Sequence, residues 1–354
     1  MTPLQRIVAA LRDPGGYPHP AEAVEVHETH ISVVLVAGGF AYKLKKPLDL
    51  GFLDFGTLEK RRAACAEEVR LNRRTAPGLY LGVVPIGGTP DAPRLGAEPA
   101  IEYAVRMRRF PQEALLDRVA ARGALDVALL EELARDLAVF HAAAADAGDL
   151  PQGRPEDIGA PAVQNFDQLT ALVADADRPL LAVLRAWTDA ELERCRDAFT
   201  ARRAAGRVRE CHGDLHLGNL VMLDGRAVPF DCIEFNAGLR WIDVMNEVAF
   251  LAMDLIDHER PDLAWRFLDA YLAATGDYDG LRVLRFYLVY RALVRAKIAC
   301  IRAHQPDLDV HGRTRADSEY HGYLLLAARL RAPRRPALLV MHGLSGSGKS
   351  RAAA

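Results

Sequence analysis

The sequence predicts an α+β chain with two lobes, a small antiparallel sheet that carries one helix and a larger, mainly helical lobe. Three observations predict this arrangement. Short runs of alternating apolar residues fill positions 24 to 45, and alternation is the pattern of half-buried strands. After Asp126 the apolar residues instead recur at helical spacing over long segments. The chain has 354 residues, 50% of them hydrophobic, which is enough to bury the cores of two lobes.

The first lobe is predicted to follow a short leading helix in residues 1–20. Thr2 is an N-cap before Pro3, and the turn residues Asp13-Pro14-Gly15-Gly16 end the helix. Residues 21–110 then hold a strand meander and one helix. The predicted strands are Val24–His27, Ile31–Val36, Phe40–Lys45, Tyr80–Ile86 and Ala100–Met107, and the predicted helix is Leu58–Arg74.

The second lobe, residues 111–332, is predicted to be helical apart from one hairpin. The hairpin joins Leu220–Leu223 to Ala227–Phe230 through the Asp224-Gly225 turn signal. The segment Pro151–Pro161 is turn-rich and is predicted to be a loop. The predicted helical segments are Asp126–Ala147, Ala162–Ala174, Pro179–Ala204, Trp241–Leu255 and Leu281–Ala303.

A polar loop, Cys211–Asn219, leads into the hairpin. Asp214 and Asn219 are separated on it by four residues, and the hairpin returns the chain so that Asp231 lies beside Asn219. Phosphoryl transfer from ATP requires a carboxylate that receives or orients a hydroxyl, an amide oxygen on Mg²⁺ and a second carboxylate on the metal. The spacing therefore predicts Asp214 as the base and Asn219 and Asp231 as magnesium ligands. The competing interpretation is a polar turn before an ordinary hairpin.

This loop resembles the H-G-D-x-x-x-x-N loop of the aminoglycoside phosphotransferase-like branch of the protein-kinase-like superfamily. Three further segments, Tyr42–Pro47, Phe52–Phe55 and Phe230–Asn236, resemble bacterial proteins that join such a domain to a C-terminal P-loop ATPase-like domain. The resemblance extends over nearly the whole chain. It implies the two-lobed protein-kinase-like fold, with residues 21–110 as the N-lobe and 111–332 as the C-lobe.

The resemblance also implies a lysine that holds the ATP phosphates and a glutamate that orients it. Lys43 follows Phe40-Ala41-Tyr42 as the lysine follows in the V-A-I-K strand, and Lys45 lies on the same face as the alternative. Glu68 on the following helix is the predicted partner of the lysine, with Glu67 as the alternative. A solvated charge run is the competing interpretation of these lysines.

The turn that normally covers the phosphates with glycines has none here. Thr29 and Ser32 lie in it, and we expect their hydroxyls and the local N–H groups to bind phosphate oxygens. The segment Arg108–Pro111 should be the hinge whose backbone meets the adenine. The helices between Ala162 and Ala204 are the expected place for the acceptor.

Other polar residues of the second lobe favour structural roles. His141 is interpreted as a core or capping histidine. Asp243 and Glu247 are expected to pair with Arg291 and Arg295 between two helices, the alternative being that the arginines bind an anionic acceptor. Asp243 also resembles the second, supportive aspartate of the family.

After a Pro- and Arg-rich linker, the end of the sequence shows the pattern of a different domain. A predicted strand, Ala337–Met341, precedes the P-loop pattern G-x-x-x-x-G-K-[ST], in which backbone N–H groups cradle phosphates. Its binding residues would be Gly343, Gly348, Lys349 and Ser350. Residues 333–354 are therefore predicted to be a linker and the start of a truncated P-loop domain.

Composition narrows the class of function. A net charge of -2 disfavours general binding to nucleic acid or anionic membranes, and no apolar run has the length of a membrane span. We expect a cytoplasmic protein. The five cysteines lack the spacing of a zinc site or a disulfide framework, and Cys211 and Cys232 are interpreted as small buried hydrophobes.

The predicted function is ATP- and Mg²⁺-dependent phosphorylation of a hydroxyl on a small molecule. The sequence names neither the acceptor nor the oligomeric state. One alternative is a nucleotide-binding pseudokinase that regulates a P-loop domain, since the phosphate-covering turn lacks glycine. Another places the enzymatic activity in the P-loop domain, with the first domain as a scaffold.

Overall fold

The small lobe is a curled antiparallel sheet in the order β1-β2-β3-β6-β4-β5. The structure is a computed structural model that describes residues 1–49, 51, 53–305, 308–332, 342–345 and 347–348. The strands are β1 (Val24–Glu28), β2 (Ser32–Ala37), β3 (Phe40–Lys45), β4 (Tyr80–Thr89), β5 (Ala92–Leu95) and β6 (Ala100–Arg108). Strand β5 was not predicted, because Pro93 and its exposed neighbours lack the strand pattern and only pairing with β4 orders them.

A helix covers each face of this sheet. Helix α1 (Pro3–Ala10) packs through Leu4 and Ile7 on the face that contains Leu35, while α2 (Leu58–Asn72) packs on the opposite face. Because side chains alternate along β3, Tyr42 points toward α1 and its neighbours Ala41 and Lys43 point toward α2. The sequence prediction of Lys43 on the inner face is therefore confirmed.

In the described residues the large lobe is helical, with two short antiparallel strand pairs. Its helices are α3 (Leu116–Ala121), α4 (Val127–Ala143), α5 (Pro155–Leu172), α6 (Arg178–Ala204), α7 (Val244–Asp257), α8 (Pro261–Thr275), α9 (Leu281–Ala303) and α10 (Val310–Arg331). Its strands are β7 (Val208–Glu210), β8 (Leu220–Leu223), β9 (Arg226–Pro229) and β10 (Trp241–Asp243). The predicted α+β fold with two lobes is thus confirmed.

Helix α5 begins earlier than the sequence predicted. The segment Pro151–Pro161 was expected to be a loop, yet the helix starts at Pro155 and continues through Pro161. Proline is tolerated at the first helical position, where its missing N–H is not needed. An interior proline costs about 3 kcal/mol in a helix. Burial of Ala162 and Phe166 against the lobe core offsets that cost here.

Helix α7 is the centre of the large lobe. Every residue from Val244 to Leu255 is buried, and α8 and α9 pack on it. A helix that is buried all round must supply partners for its polar side chains. Glu247 and Asp254 on this helix therefore accept hydrogen bonds from the backbone of the polar loop.

The predicted network of Asp243 and Glu247 with Arg291 and Arg295 is wrong. Asp243 is the N-cap of α7, and its carboxylate accepts the Met245 N–H at 2.8 Å instead of facing the arginines of α9. Its carboxylate instead accepts two hydrogen bonds of 2.7 Å from Arg202 of α6.

The two arginines find other partners. Arg291 donates to the Asn246 side chain at 2.7 Å and to the Gly213 carbonyl at 3.0 Å. Arg295 donates to the Tyr323 hydroxyl at 3.3 Å. Arg295 Nη1 also lies 3.5 Å from His216 Nε2, so both arginines contact the polar loop, Arg291 from a buried position and Arg295 from a partly buried one.

None of the helices in the described part of the chain has the length and apolar composition to cross a bilayer. All five cysteines are buried and free of disulfide bonds, and the predicted burial of Cys211 and Cys232 is confirmed. Burial raises the pKa of the Cys211 and Cys232 thiols, which keeps both in the neutral form of a small core side chain.

Replacing Arg202 with leucine should lower the free energy of unfolding by about 3–5 kcal/mol, because it leaves the buried Asp243 carboxylate without its guanidinium partner. Arg196→Leu on the same helix is the control, since its ion pairs with Glu156 and Glu193 are exposed and worth about 0–1 kcal/mol. Urea unfolding followed by circular dichroism measures both. Equal losses in the two variants would contradict a structural role for the Arg202 cluster.

Candidate functional site

The polar loop and the hairpin form one unit that places three functional side chains together. The loop leaves β7, closes with a short 3₁₀ turn at Leu217–Asn219 and continues directly into β8. Leu220 pairs with Pro229, and the Phe230 N–H donates to the Asn219 carbonyl at 3.0 Å. Asp231 consequently follows the hairpin beside Asn219, as the sequence predicted.

Glu247 of α7 holds the first residues of the polar loop in place. Its carboxylate is fully buried and accepts the backbone N–H groups of His212 at 3.1 Å and Gly213 at 2.6 Å. His141 Nε2 lies 3.0 Å from the same carboxylate and Nδ1 lies 2.8 Å from the Tyr271 hydroxyl, which confirms His141 as a core residue. Burial opposes ionisation of Glu247, but the His141 hydrogen bond outweighs it and lowers the pKa to about 2.

Gly213 occupies a position that no other residue fits. Its φ of +89° lies in the region that side chains rarely adopt. A Cβ atom at Gly213 would also lie 2.8 Å from the Leu239 carbonyl oxygen. The glycine of the H-G-D sequence therefore lets the backbone turn so that Asp214 faces the cleft.

Asp214 and Asn219 contact each other directly. The Asn219 amide nitrogen donates to the Asp214 carboxylate at 2.8 Å and to its carbonyl at 3.0 Å. Because both partners are acceptors, the amide orientation is fixed, and the Asn219 side-chain oxygen points away from Asp214. That oxygen is free to take a ligand from the cleft.

The Asp214 carboxylate is ionised under ordinary conditions. Its side chain is 33% exposed, and His216 Nε2 lies 3.5 Å from it. Desolvation would raise the pKa of Asp214, but His216 and Arg295 outweigh it and lower the pKa below its usual value. Asp214 therefore accepts hydrogen bonds and does not donate them.

His212 holds the backbone around Asp214. Its Nε2 donates to the Phe230 carbonyl at 2.9 Å, and its Nδ1 accepts the Asp214 N–H at 3.3 Å. This pair of contacts requires the neutral ring, and burial lowers the pKa of His212 accordingly. The imidazole links the loop to the end of the hairpin.

Asp231 lies at the cleft in a strained backbone conformation. Its φ is 63°, which is rare for an aspartate. The Asp231 N–H donates to the Tyr80 hydroxyl at 3.0 Å, and its side chain is 42% exposed. Lys43 of β3 lies 2.5 Å from its carboxylate, so the sheet and the hairpin meet at this residue.

Both candidate lysines contact Glu68. Lys43 donates to one carboxylate oxygen of Glu68 at 2.9 Å, and Lys45 donates to the other. Lys43 is 9% exposed and touches Asp231, whereas Lys45 is fully buried between Glu68 and Glu234. The expected ion pair is present, and Lys43 is the lysine that borders the cleft.

Glu68 and Lys43 stabilise each other's charged forms. Burial opposes ionisation of Glu68, but the Lys43 and Lys45 ammonium groups outweigh it and lower its pKa to about 2. Burial alone would lower the pKa of Lys43, and Asp231 and Glu68 raise it instead. The geometry favours Glu68 over Glu67, because Glu67 faces Arg70 at 2.7 Å and Arg240 at 2.8 Å.

The C-terminal end of α2 is joined to the large lobe. Arg70 contacts the Glu210 carboxylate at 2.6 Å, and Arg74 donates to the Cys211 carbonyl at 3.0 Å. The Asn72 side chain accepts the Cys232 N–H at 2.8 Å. These contacts hold the helix that carries Glu68 against both ends of the loop and hairpin unit.

The phosphate-covering turn places only one of its two predicted hydroxyls at the surface. Thr29 is exposed, and its hydroxyl accepts the Ser32 N–H at 3.0 Å. Ser32 is fully buried, so its hydroxyl does not face the cleft. The phosphate contacts predicted for this turn stay predictions, and of the two hydroxyls the geometry favours Thr29.

The remaining predicted segments divide between the hinge and the P-loop motif. In the predicted hinge, the Phe110 ring packs on Phe230, which precedes Asp231 in the chain, with ring centroids 5.2 Å apart.

Of the predicted P-loop pattern, Gly343 and Gly348 are among the described residues. The predicted strand 337–341 and the predicted ligands Lys349 and Ser350 lie outside them.

A sequence model of the phosphotransferase enzyme family matches residues 53–287. The chain belongs to this family. The matched range contains Glu68, Asp214, Asn219 and Asp231, whereas Lys43 precedes it. The family match therefore covers the loop and hairpin unit together with α2.

The chain is also similar to mycobacterial proteins. Uncharacterized proteins of Mycobacterium tuberculosis and Mycobacterium bovis are each 34% identical to it over 341 residues. The alignment covers 92% of this chain and 64% of each relative. The chain thus spans less than two thirds of the length of these curated relatives.

The fold of the chain is shared with a solved kinase. The crystal structure of choline kinase from Cryptosporidium parvum Iowa II superimposes with a TM-score of 0.53, covering 91% of this chain and 95% of that chain. The two sequences are 10% identical. Similarity at this level shows a common protein-kinase-like fold and leaves the substrate open.

Sequence reasoning missed the roles of Glu247 and Glu234. Glu247 was assigned to arginine partners, although it binds the loop backbone. Asp243, which resembles the supportive aspartate of the family, caps α7. Glu234 received no role, although it lies three residues after Asp231 and pairs with Lys45. A signal for Glu234 existed, because a carboxylate on an apolar segment next to a metal-ligand candidate needs a cation nearby.

Acid should destabilise the protein as the pH falls from 4.5 toward 2. Glu68 and Glu247 have folded pKa values of about 2 against an ordinary 4.5, so their ionised forms stabilise the fold above pH 4.5 and this contribution is lost below it. Urea unfolding at a series of pH values measures the effect. Glu247→Gln should show a shallower fall than the parent, whereas Glu59→Gln on the exposed side of α2 should match the parent. A Glu247→Gln slope equal to that of the parent would contradict the assignment.

Proposed function

We propose that this chain transfers the γ-phosphate of ATP to a hydroxyl group of a small molecule, with Mg²⁺ as the metal. The observation that carries the proposal is the convergence of four side chains on one cleft. Asp214 and Asn219 are hydrogen-bonded at 2.8 Å, and Lys43 reaches Asp231 at 2.5 Å from the opposite lobe. Membership of the phosphotransferase family supports the reaction class.

The residues present fit a magnesium ion. Mg²⁺ prefers oxygen ligands and retains several waters. The outward side-chain oxygen of Asn219 and the exposed carboxylate of Asp231 are ligands of this kind. When bound, Mg²⁺ and ATP supply the transferable phosphoryl group and neutralise the charge that develops on it.

Asp214 acts on the acceptor hydroxyl. Because its pKa is lowered, it is ionised at neutral pH and accepts a hydrogen bond from the hydroxyl that reaches it. A carboxylate of low pKa is a weak base, so its main contribution is to orient the oxygen toward the phosphorus, with proton transfer late in the reaction. His216 and Asn219 keep the carboxylate aimed at the cleft.

Lys43 serves the phosphate side of the reaction. Its ammonium group is held at the cleft by Glu68 and contacts Asp231, the proposed metal ligand. In this position Lys43 compensates phosphate charge next to the metal, as the corresponding lysine does in protein kinases. Glu68 supplies the fixed carboxylate that aims it.

The proposal includes a position for the acceptor, and the second nucleotide motif remains a prediction beside it. We place the acceptor beside α5 and α6, the segment inserted before the loop, without identifying its chemistry. The Gly343–Ser350 pattern and the join to a P-loop domain stay predictions from the sequence, as does a cytoplasmic location. The pseudokinase alternative has no observation in its favour beyond the glycine-free turn.

Asp231→Asn should weaken binding of Mg·ATP strongly while the fold persists, because the side chain is exposed to the cleft and lies outside the core. Isothermal titration with Mg·ATP measures the affinity, and circular dichroism verifies the fold. Asp224→Asn, in the exposed turn of the same hairpin, is the matched control. Unchanged affinity in Asp231→Asn would refute its role as a metal ligand.

Asp214→Asn should keep Mg·ATP affinity and lose phosphoryl transfer by roughly 10²–10⁴-fold, the range for removal of a general base. The measurement is ATP consumption by the parent with a panel of hydroxylated metabolites, repeated for the variant with each acceptor found. A variant as active as the parent would contradict the role of Asp214. A parent that binds Mg·ATP but phosphorylates no hydroxylated compound would favour the pseudokinase alternative.

A further inference from the structure

Lys43, Lys45, Glu68 and Glu234 form a buried charge cluster, and two of its members, Lys45 and Glu234, have no part in the proposed chemistry. Lys45 has no exposed surface, and the side chain of Glu234 is only 4% exposed. The two form an ion pair, and Lys45 also donates to Glu68. The Lys45 ammonium lies 5.4 Å from the Phe55 ring centre. Its hydrogen bonds are thus committed to protein carboxylates, so it cannot serve as a second phosphate ligand without breaking them.

The pair connects the two lobes at the metal side of the cleft. Lys45 lies on β3 of the sheet, and Glu234 follows Asp231 by three residues in the large lobe. Arg240 donates to the Glu234 carbonyl at 3.2 Å and to Glu67 of α2 at 2.8 Å. The segment that carries Asp231 is therefore held against both the sheet and α2.

Lys43 contacts two carboxylates, and a bound nucleotide would take the place of one of them. It contacts Glu68 at 2.9 Å and Asp231 at 2.5 Å. If Asp231 bound a metal cation, the Lys43 ammonium would be repelled from it and would be available to the phosphate chain instead. Glu68 must stay in place during this exchange, since it aims Lys43.

We propose that Lys45 and Glu234 are a positioning pair that anchors Glu68 and the Asp231 segment while Lys43 exchanges Asp231 for the phosphates of ATP. This inference rests on the proposed function. Each carboxylate oxygen of Glu68 has its own lysine, so Lys45 retains Glu68 when Lys43 turns toward the nucleotide. Without Lys45, two buried carboxylates would have Lys43 as their nearest cation and would hold it away from the phosphates.

The test compares two ligands that share the base and differ in the phosphates. Lys45→Met should weaken Mg·ATP binding by roughly tenfold, within the range of coupling between residues in contact, and leave adenosine binding unchanged. Glu234→Gln should shift the same ratio in the same direction by a smaller factor, because the amide still accepts from Lys45. Lys60→Met, which removes an exposed lysine of α2 paired with Asp54, is the control. Titration calorimetry gives both affinities.

Each result supports or contradicts the positioning role of Lys45 and Glu234. A Mg·ATP to adenosine ratio in Lys45→Met equal to that of the parent overturns the positioning role, and so does an equal loss for both ligands, which would indicate a general structural effect. If Lys45→Met fails to fold, Glu234→Gln and the charge-balanced double variant Lys45→Met/Glu234→Gln give the ratio. A parent that binds adenosine but not Mg·ATP overturns the proposed function itself, whereas a normal parent with an unshifted variant overturns only this inference.

Discussion

The site depends first on a single buried carboxylate, Glu247. Its two oxygens take the N–H groups of His212 and Gly213, which are otherwise unpaired where the chain turns out of β7. The carboxylate is held in turn by His141, and Arg291 binds the Gly213 carbonyl from the other side. Because a buried ion must be hydrogen-bonded to be tolerated, the helix core and the loop stabilise each other. Asp214 points into the cleft as a consequence of this support.

A second constraint comes from the hairpin. Its turn and short strands fix the distance along the chain between Asn219 and Asp231, and the bond from Phe230 to Asn219 closes the unit. The left-handed backbone at Asp231 is then supported by the Tyr80 hydroxyl of the other lobe. The metal side of the cleft is therefore built from local structure, whereas its orientation toward Lys43 depends on contact between the lobes.

The sequence predicted what short-range rules determine. Spacing within one loop and one hairpin predicted the proximity of Asp214, Asn219 and Asp231, and strand alternation predicted the inward face of Lys43. It did not predict which carboxylate holds the loop, because Asp243 and Glu247 are equivalent at helical spacing until the N-cap of α7 is known. The start of α5 was missed for a similar reason, since the local cost of Pro161 is offset by burial against residues far along the chain. Contacts across the lobes, such as Lys45 with Glu234, leave no periodic signal at all.

The contacts at the C-terminal end of α2 limit how this molecule can be regulated. Arg70, Asn72 and Arg74 bind the large lobe at Glu210, Cys232 and Cys211. An outward swing of α2, which would separate Glu68 from Lys43, has to break all of these bonds together. Displacement of α2 is therefore costly in this conformation, and Glu68 keeps its position beside Lys43 through contacts that do not involve the lysine itself.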